Sequence, residues 1–273
     1  MKRALAFLAI ATLALGAARA QQRELRVCAD PDNLPFSNER QEGFENKIAA
    51  LVAGDLGAVV TYTWWPQRRG FIRNTLRARQ CDLVMGVPKG FDPVLTTRAY
   101  YRSTYVIAYR QDRHLDIRSL DDTALRRLRI GVNLIGEDYE NPPPAHALSV
   151  RGVTGLVGYS TFYGPEARPE TIIQGLVNGD IDIAVVWGPL AGYFASRAAT
   201  PLAVVALPDT VDRSGLWFAY DMAMGVRRSD RELAAELDGV IERRQADIAR
   251  ILQEYHVPVL TGSGQPASPP PER

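Results

Sequence analysis

The 273-residue chain is 46% apolar and carries a formal net charge of +1. This length and apolar content are enough for one sizeable hydrophobic core or two modest ones. A nearly neutral chain gives no support for nucleic-acid binding, which depends on a strongly basic surface.

The first twenty residues have the pattern of a secretory signal peptide. Lys2 and Arg3 precede the apolar run 4–17, and Ala18-Arg19-Ala20 has the small-residue spacing of a cleavage site. We therefore expect residues 1–20 to be removed and a mildly acidic protein to be exported to the periplasm. No later segment approaches the ~20 continuous apolar residues of a membrane-spanning helix, so no membrane span is predicted.

After this leader the chain alternates between predicted strands and helices. The strands are predicted at 25–29, 58–65 and 81–87, and the helices at 44–54 and 67–79. This β-α-β-α-β order is typical of a parallel sheet covered by helices. In open α/β sheets ligands bind where strands end, so the turn Pro88–Pro93 is predicted to border a cleft.

The same pattern starts again beyond Arg110. Further strands are predicted at 105–109, 128–133, 181–187, 202–207 and 217–226, and further helices at 169–178 and 190–197. Gly179 is expected to end the first of these helices. Ser229 and Glu232 match a capping box at the start of a last helical region, which Gly239 is expected to interrupt and Pro258 to end.

Because the alternating pattern occurs twice, we predict two α/β lobes with a cleft between them. The predicted first lobe comprises 23–109 and 209–259, the second comprises 110–208, and 261–273 is a disordered tail. The tail is predicted to be disordered because it is rich in Pro, Ser and Gly.

Cys28 and Cys81 are the only cysteines. Both lie on strands that we predict to be neighbours, and export would place them in an oxidising compartment. We expect a disulfide between them; the alternative is two buried thiols.

Four segments resemble, in the same order, the J-type proteins (MxaJ and XoxJ) of methanol oxidation systems. They are RVCADPDNLPFSNERQEGFENKIA, YTWWPQRRGFIRNTL, CDLVMGVPKGFD and DIAVVWGPLAGYFA. Those proteins are exported partners of pyrroloquinoline quinone (PQQ) methanol dehydrogenases and their cytochrome c acceptors. The resemblance implies a type II periplasmic-binding-protein fold with two crossings between the lobes, no cofactor of its own, and a non-enzymatic accessory role.

Two of the chain's departures from the amino-acid-binding branch of this fold concern the residues that hold the charges of the ligand. That branch clamps the ligand carboxylate with an Arg after the third strand, where this chain has the turn Pro88–Pro93 with no Arg. It holds the ligand ammonium with an Asp, where this chain has Trp187 or Gly188. A zwitterion buried without partners for its charges costs several kcal/mol or more, so an amino-acid ligand is not expected.

Seven residues are predicted to line the cleft, where a ligand or a segment of a partner protein would bind: Asp30, Phe36, Lys89, Phe91, Asp92, Glu137 and Trp187. For the three aromatic members, ordinary packing remains the alternative. Glu137 belongs to an acidic group with Asp138 and Glu140, for which a solvated loop is favoured over a metal site because the spacing does not fit a calcium loop.

Arg69, Arg73 and Arg77 recur every four residues in the predicted helix 67–79. They would form one basic stripe, which is either a solvated face or a surface that steers an acidic partner.

Three classes of function are compatible with these features. The first is an accessory protein that engages a PQQ methanol dehydrogenase, with or without its cytochrome c. The second is the solute-binding protein of an ABC transporter for an uncharged or apolar molecule. An exported enzyme is disfavoured because no nucleophile, base and orienting group can be assembled, and the three histidines lack metal-ligand spacing.

Overall fold

The computed structural model describes residues 22–134, 142–160 and 168–261. The predicted signal peptide, Glu137 and its acidic neighbours, and the predicted tail beyond Thr261 lie outside the described residues.

Strands and helices alternate along most of the described chain. The strands are β1 (Glu24–Ala29), β2 (Asp32–Asn33), β3 (Ser37–Asn38), β4 (Val59–Trp64), β5 (Leu83–Pro88), β6 (Leu95–Arg110), β7 (Ile130–Leu134), β8 (Leu156–Ser160), β9 (Ile183–Trp187), β10 (Leu202–Ala206) and β11 (Ala219–Val226). The helices are α1 (Phe44–Asp55), α2 (Phe71–Asn74), α3 (Pro143–Val150), α4 (Thr171–Asn178), α5 (Gly188–Ala195), α6 (Arg231–Arg243) and α7 (Gln245–Glu254). Short 3₁₀ turns lie at Gln111–Arg113 and Thr123–Arg127.

The long strand β6 organises the sheet. Its first part, Leu95–Thr104, pairs with β11, whereas Tyr105–Arg110 pairs with β9 and β10. β1 is parallel to β4 and β5, and β7 is parallel to β8 and β9. The first strand group is therefore β4, β1, β5 and β11, the second is β8, β7, β9 and β10, and β6 belongs to both. This arrangement confirms the predicted α/β class.

Each strand group has its own hydrophobic core. Helices α1, α6 and α7 bury Phe44, Ile48, Leu237 and Leu252 against the first group. In the second group one core contains residues of α3 and the other contains residues of α4 and α5. The chain enters the second group within β6 and returns after β10. The predicted lobe boundaries themselves stay a prediction.

The helix predicted over 67–79 is wrong in length. Only α2 is helical, because Gly70 has φ +86° and a left-handed residue follows at Arg79. The basic stripe was predicted from helical spacing, and this reason is wrong because Arg69 and Arg77 lie outside α2. The side chains of Arg69, Arg73 and Arg77 are nevertheless all exposed.

Two predicted details of the other helices can be compared directly. Gly179 ends α4 in the left-handed conformation with φ +83°, as expected. The capping box is wrong, because Asp230 is the N-cap and the Ser229 hydroxyl bonds to its carboxylate instead. The predicted interruption at Gly239 is also wrong, since the break falls at Arg244 between α6 and α7.

The predicted disulfide is confirmed. Cys28 in β1 is bonded to Cys81, which immediately precedes β5, and their Cα atoms are 5.5 Å apart. The parallel pairing of β1 with β5 brings the two cysteines together.

Candidate binding site

The end of strand β9 brings Trp187 against the first strand group. Register pairs Trp187 with Tyr105 of β6, and their ring centroids are 5.4 Å apart. The ring centroid of Tyr220 in β11 lies 5.9 Å from that of Trp187. Trp187 is half-buried and packs against the core of the first group. It therefore joins side chains from both strand groups.

Gly188 makes this approach possible. A Cβ atom there would lie 2.6 Å from both the Thr104 carbonyl oxygen and Pro258 Cγ. Because real Cβ atoms do not come so close to other heavy atoms, any larger residue at Gly188 would push β9 away from β6.

The hairpin β2–β3 positions Phe36 at the start of helix α1. The backbone N–H groups of Phe44 and Glu45 donate to the carbonyls of Pro35 and Phe36, at 2.8 and 3.0 Å. These bonds satisfy N–H groups that a helix start leaves unpaired. They also place the Phe36 ring 5.3 Å from that of Phe44.

Glu45, the second residue of α1, carries its carboxyl group into the protein. Its side chain lies over Gly86 of β5, where a Cβ atom would be 2.1 Å from Oε1. Glu45 is 8% exposed, and no hydrogen bond or ion pair to its carboxyl group occurs among the described residues. Burial, with the charge of Asp30 as the second cause, raises the pKa of Glu45 to about 8.

Two consecutive tyrosines of β6 lie beside this carboxyl group. Tyr100 and Tyr101 are 7% and 5% exposed, and their ring centroids are 5.0 Å apart. Neighbouring residues of a regular strand point to opposite faces. Here β11 pairs Met222 with Tyr101 and Ala223 with Ala99, so Tyr100 is the extra residue of a β-bulge. Both rings consequently enter the same core.

Neither tyrosine hydroxyl is satisfied. Burial, followed by the charge of Glu45, raises the pKa of both hydroxyls well above its usual value. The Gly86 amide lies beside the Tyr100 hydroxyl, and the Trp187 indole lies beside that of Tyr101. Neither the Gly86 amide nor the Trp187 indole lies in hydrogen-bonding geometry with the hydroxyl beside it. Within the described chain both hydroxyls are therefore without a hydrogen-bond partner. We call Glu45, Tyr100 and Tyr101 the buried polar cluster.

Asp30 lies close enough to this cluster to affect it. Its carboxylate accepts hydrogen bonds from the backbone N–H groups of Asp32 and Gln67, at 2.9 and 2.6 Å. Burial raises the pKa of Asp30, and these two bonds oppose the rise. Its oxygens are therefore already used by backbone donors.

The other predicted cleft residues lie elsewhere. Phe91 packs against the small core around Cys28 and Cys81, whereas Phe36 and Trp187 pack against the main core of the first group. Lys89 is exposed. Asp92 is also exposed and pairs with Arg228 at 2.5 Å. A binding role for Lys89, Phe91 and Asp92 stays a prediction.

Sequence reasoning missed the buried polar cluster. Glu45 lies within the first of the four segments that carry the resemblance, Tyr100 and Tyr101 lie in none of them, and no spacing rule connects position 45 with positions 100 and 101. The one available sequence signal was an acidic residue, Glu45, next to Phe44 at the start of a predicted helix. The bulge that turns both tyrosines inward depends on the register with β11.

A cavity of about 600 Å³ lies between the β2–β3 hairpin and helices α4 and α5. Charges of both signs line it: Asp32, Arg40, Arg168, Glu170 and Arg197. None of the predicted cleft residues that the structure describes takes part in it.

The described ranges 22–134, 142–160 and 168–261 contain no group of three or more His, Cys, Asp or Glu side chains arranged to hold a metal ion. No helix in them is both long enough and apolar enough to cross a membrane.

The architecture defines the class of the protein: it has the fold of the type II periplasmic binding proteins. The crystal structure of the periplasmic binding protein XoxJ from Methylobacterium extorquens AM1 superposes with a TM-score of 0.72 at 34% identity, covering 87% of this chain and 100% of that one. No protein-family model matches the chain.

Curated sequences narrow the class to a family. The chain is 30% identical over 253 residues to protein MoxJ of Methylorubrum extorquens strain AM1, covering 89% of this chain and 84% of the relative. It is 28% identical over 271 residues to protein MoxJ of Paracoccus denitrificans, covering 93% and 95%. The chain therefore belongs to the MoxJ family, as its resemblance to the J-type proteins predicted.

Proposed function

We propose that this chain is a non-enzymatic, periplasmic accessory protein that engages a PQQ methanol dehydrogenase and supports its assembly or activation. The observation that carries the proposal is membership of the MoxJ family. It is supported by the sequence, which has no Arg in the turn Pro88–Pro93, where amino-acid-binding proteins of this fold clamp the ligand carboxylate. The cytochrome c acceptor of the dehydrogenase is a second candidate partner. Export would place the chain in the compartment of both.

The surroundings of Trp187 support a role other than amino-acid binding. The position that would hold a ligand ammonium corresponds to Trp187 or Gly188, and the Trp187 indole contacts the rings of Tyr105 and Tyr220. An aromatic, half-buried surface of this kind suits an apolar or aromatic side chain of a protein partner. Phe36, which packs against the same core, would extend that surface.

A basic surface offers a way to attract the partner. No Asp or Glu occurs from position 56 to 81, whereas this stretch contains five arginines, all of them exposed: Arg68, Arg69, Arg73, Arg77 and Arg79. Trp65 is 39% exposed in the same stretch. Clustered positive charge accelerates association with an acidic protein, and an exposed Trp is a common anchor at interfaces.

Gene deletion tests the proposal. We expect a deletion strain to lose methanol-dependent growth and periplasmic methanol dehydrogenase activity, and a plasmid copy of the gene to restore both. Cultures supplied with calcium and cultures supplied with a lanthanide are compared, because either metal could serve the dehydrogenase that this chain assists. Unchanged growth and activity under both supplies would contradict the accessory role and favour the solute-binding protein of an ABC transporter.

A further inference from the structure

We propose that the buried polar cluster, Glu45 with the hydroxyls of Tyr100 and Tyr101, is a binding site for an organic ammonium group. The group would be either a free amine or the side chain of a lysine on another protein. This inference goes beyond the proposed function, since it holds whether or not the chain meets a dehydrogenase.

The first support is a buried acid with no cation. No Lys or Arg of the described chain pairs with Glu45, although buried carboxylates are normally paired. Asp30 adds a second negative charge nearby, and its own oxygens are occupied by the N–H groups of Asp32 and Gln67. In its ionised form, Glu45 would therefore have no paired cation among the described residues, whereas the charge of Arg68 acts on the neighbouring Asp30.

The second support is independent of charge. The hydroxyls of Tyr100 and Tyr101 are buried without a hydrogen-bond partner in the described structure. Buried polar groups normally have a hydrogen-bond partner, so two unsatisfied hydroxyls beside one unpaired acid point to a polar group that all three could bind. An alkylammonium has three N–H donors, and the cluster offers three acceptors in the carboxylate and the two phenolic oxygens.

The aromatic surroundings favour an organic cation over a metal ion. Phe44 packs edge-on against Tyr101 at 5.9 Å, and the indole of Trp187 lies beside the Tyr101 hydroxyl. Aromatic rings attract ammonium groups and accommodate their alkyl substituents. A divalent metal would need more oxygen ligands than one free carboxylate and two phenols provide.

Proton release should accompany binding. The ammonium group pairs with ionised Glu45, which holds a proton below about pH 8 because burial and Asp30 raise its pKa. The charge of Glu45 also acts on the phenol groups of Tyr62, Tyr100 and Tyr101. Burial is the main cause that raises the pKa of each of these phenols. Affinity should therefore increase with pH, by up to about tenfold per unit, and level off above pH 8.

Calorimetric titration of the full mature chain with methylammonium chloride tests the inference, with potassium chloride as the ionic reference. We expect saturable binding of methylammonium, tighter at pH 7.5 than at pH 6.5, and none of potassium. Glu45→Gln should abolish binding while keeping the side-chain shape. Glu39→Gln removes an exposed acid from the same hairpin region and should bind like the wild type.

A second variant keeps the inference testable if Glu45→Gln does not fold. Tyr101→Phe keeps the ring and removes only the unsatisfied hydroxyl, so it should fold normally and weaken binding by roughly tenfold. The two sources of the ammonium group are separated by titrating Nα-acetyl-lysine amide and its Nε-acetylated form. Binding of methylammonium indicates a free amine, whereas binding of the unacetylated lysine compound alone indicates a protein side chain.

The inference is overturned if neither amine binds saturably. It is equally overturned if binding survives unchanged in Glu45→Gln, if it does not depend on pH, or if potassium binds as well as methylammonium. Growth on methanol does not enter this test, so its result is separable from that of the accessory role.

Discussion

Arg102 and Asp209 form a two-pronged ion pair where the chain returns from strand β10 towards β11. Arg102 Nε and Nη2 donate to the two carboxylate oxygens of Asp209 at 3.1 and 2.6 Å, and Nη1 donates to Asp221 at 2.9 Å. The guanidinium is 4% exposed, whereas Asp209 is 29% exposed. Hydrogen bonds to Asp209 raise the pKa of Arg102, as do those to Asp221. The pair fixes the return crossing to the centre of β6.

Replacing Arg102 by Met should therefore destabilise the protein. The substitution keeps an unbranched side chain of similar length but leaves the carboxylates of Asp209 and Asp221 without their cation. We expect a loss of about 3 kcal/mol in the free energy of unfolding, measured with urea. The control is Arg118→Met, because the ion pair between Arg118 and Asp116 is 80% and 78% exposed and should contribute at most about 1 kcal/mol. Equal effects of the two substitutions would contradict the structural role of Arg102.

Glu45 should make stability depend on pH. Its folded pKa, about 8, lies above the ordinary value of 4.5, so the folded state retains a proton that the unfolded state loses. Stability from this group is complete below about pH 4.5 and falls as pH rises towards 8, by up to about 1.4 kcal/mol per unit. Urea unfolding between pH 5 and 8 should show this fall in the wild type and a shallower one in Glu45→Gln. If the free energy of unfolding depends on pH in the same way in the wild type and in Glu45→Gln, Glu45 is not the cause of the dependence. The control Glu39→Gln should follow the wild type.

Local patterns were sufficient for the class of fold. The alternation of apolar strands and amphipathic helices predicted the parallel strands on both sides of β6, and Gly179 predicted the end of α4. The first part of β6 was missed, because its sequence contains Arg98 and Arg102 among threonines and tyrosines. The partners that make a buried Arg102 tolerable, Asp209 and Asp221, lie more than a hundred positions away and leave no local signal.

The candidate site was predicted less completely, for a similar reason. Phe36 follows the turn-rich residues 30–33, and Trp187 precedes Gly188-Pro189. The sequence was therefore enough to predict that both side chains lie near strand ends. The buried polar cluster required the register of β6 against β11, including a bulge at Tyr100, and a glycine at position 86 that makes room for Glu45. Such pairings are set by tertiary structure and have no fixed spacing along the chain.

The disulfide should contribute strongly to stability. The bond joins residues 53 positions apart, and closing a loop of that size restricts the unfolded chain by about 4 kcal/mol in the chain-entropy model. The double variant Cys28→Ala, Cys81→Ala should therefore unfold at a clearly lower urea concentration than the oxidised wild type. Dithiothreitol should lower the midpoint of the wild type and leave the double variant unaffected. A wild type that is insensitive to the reductant would show that the bond contributes little.

Gly188→Ala should disturb the contact between the two strand groups. The added methyl group would lie 2.6 Å from the Thr104 carbonyl oxygen, so β9 must shift and carry Trp187 with it. We expect a loss of about 1–3 kcal/mol and a red shift of tryptophan fluorescence as the indole becomes more exposed. Gly54→Ala is the matched control. It adds the same methyl group within helix α1, where nothing lies within 4 Å, and should be neutral or stabilising by up to about 1 kcal/mol.

The exposed arginines should control how fast the chain meets its acidic partner. Changing Arg69, Arg73 and Arg77 to Gln should slow association with the purified dehydrogenase by roughly tenfold at low salt, measured by stopped-flow fluorescence. The matched control changes three exposed arginines on other surfaces: Arg118, Arg231 and Arg250. Charges are screened beyond about 8 Å at physiological ionic strength, so added salt should slow the wild type and control much more than the triple variant. If both variants show the wild-type rate and salt dependence, these arginines do not steer the encounter.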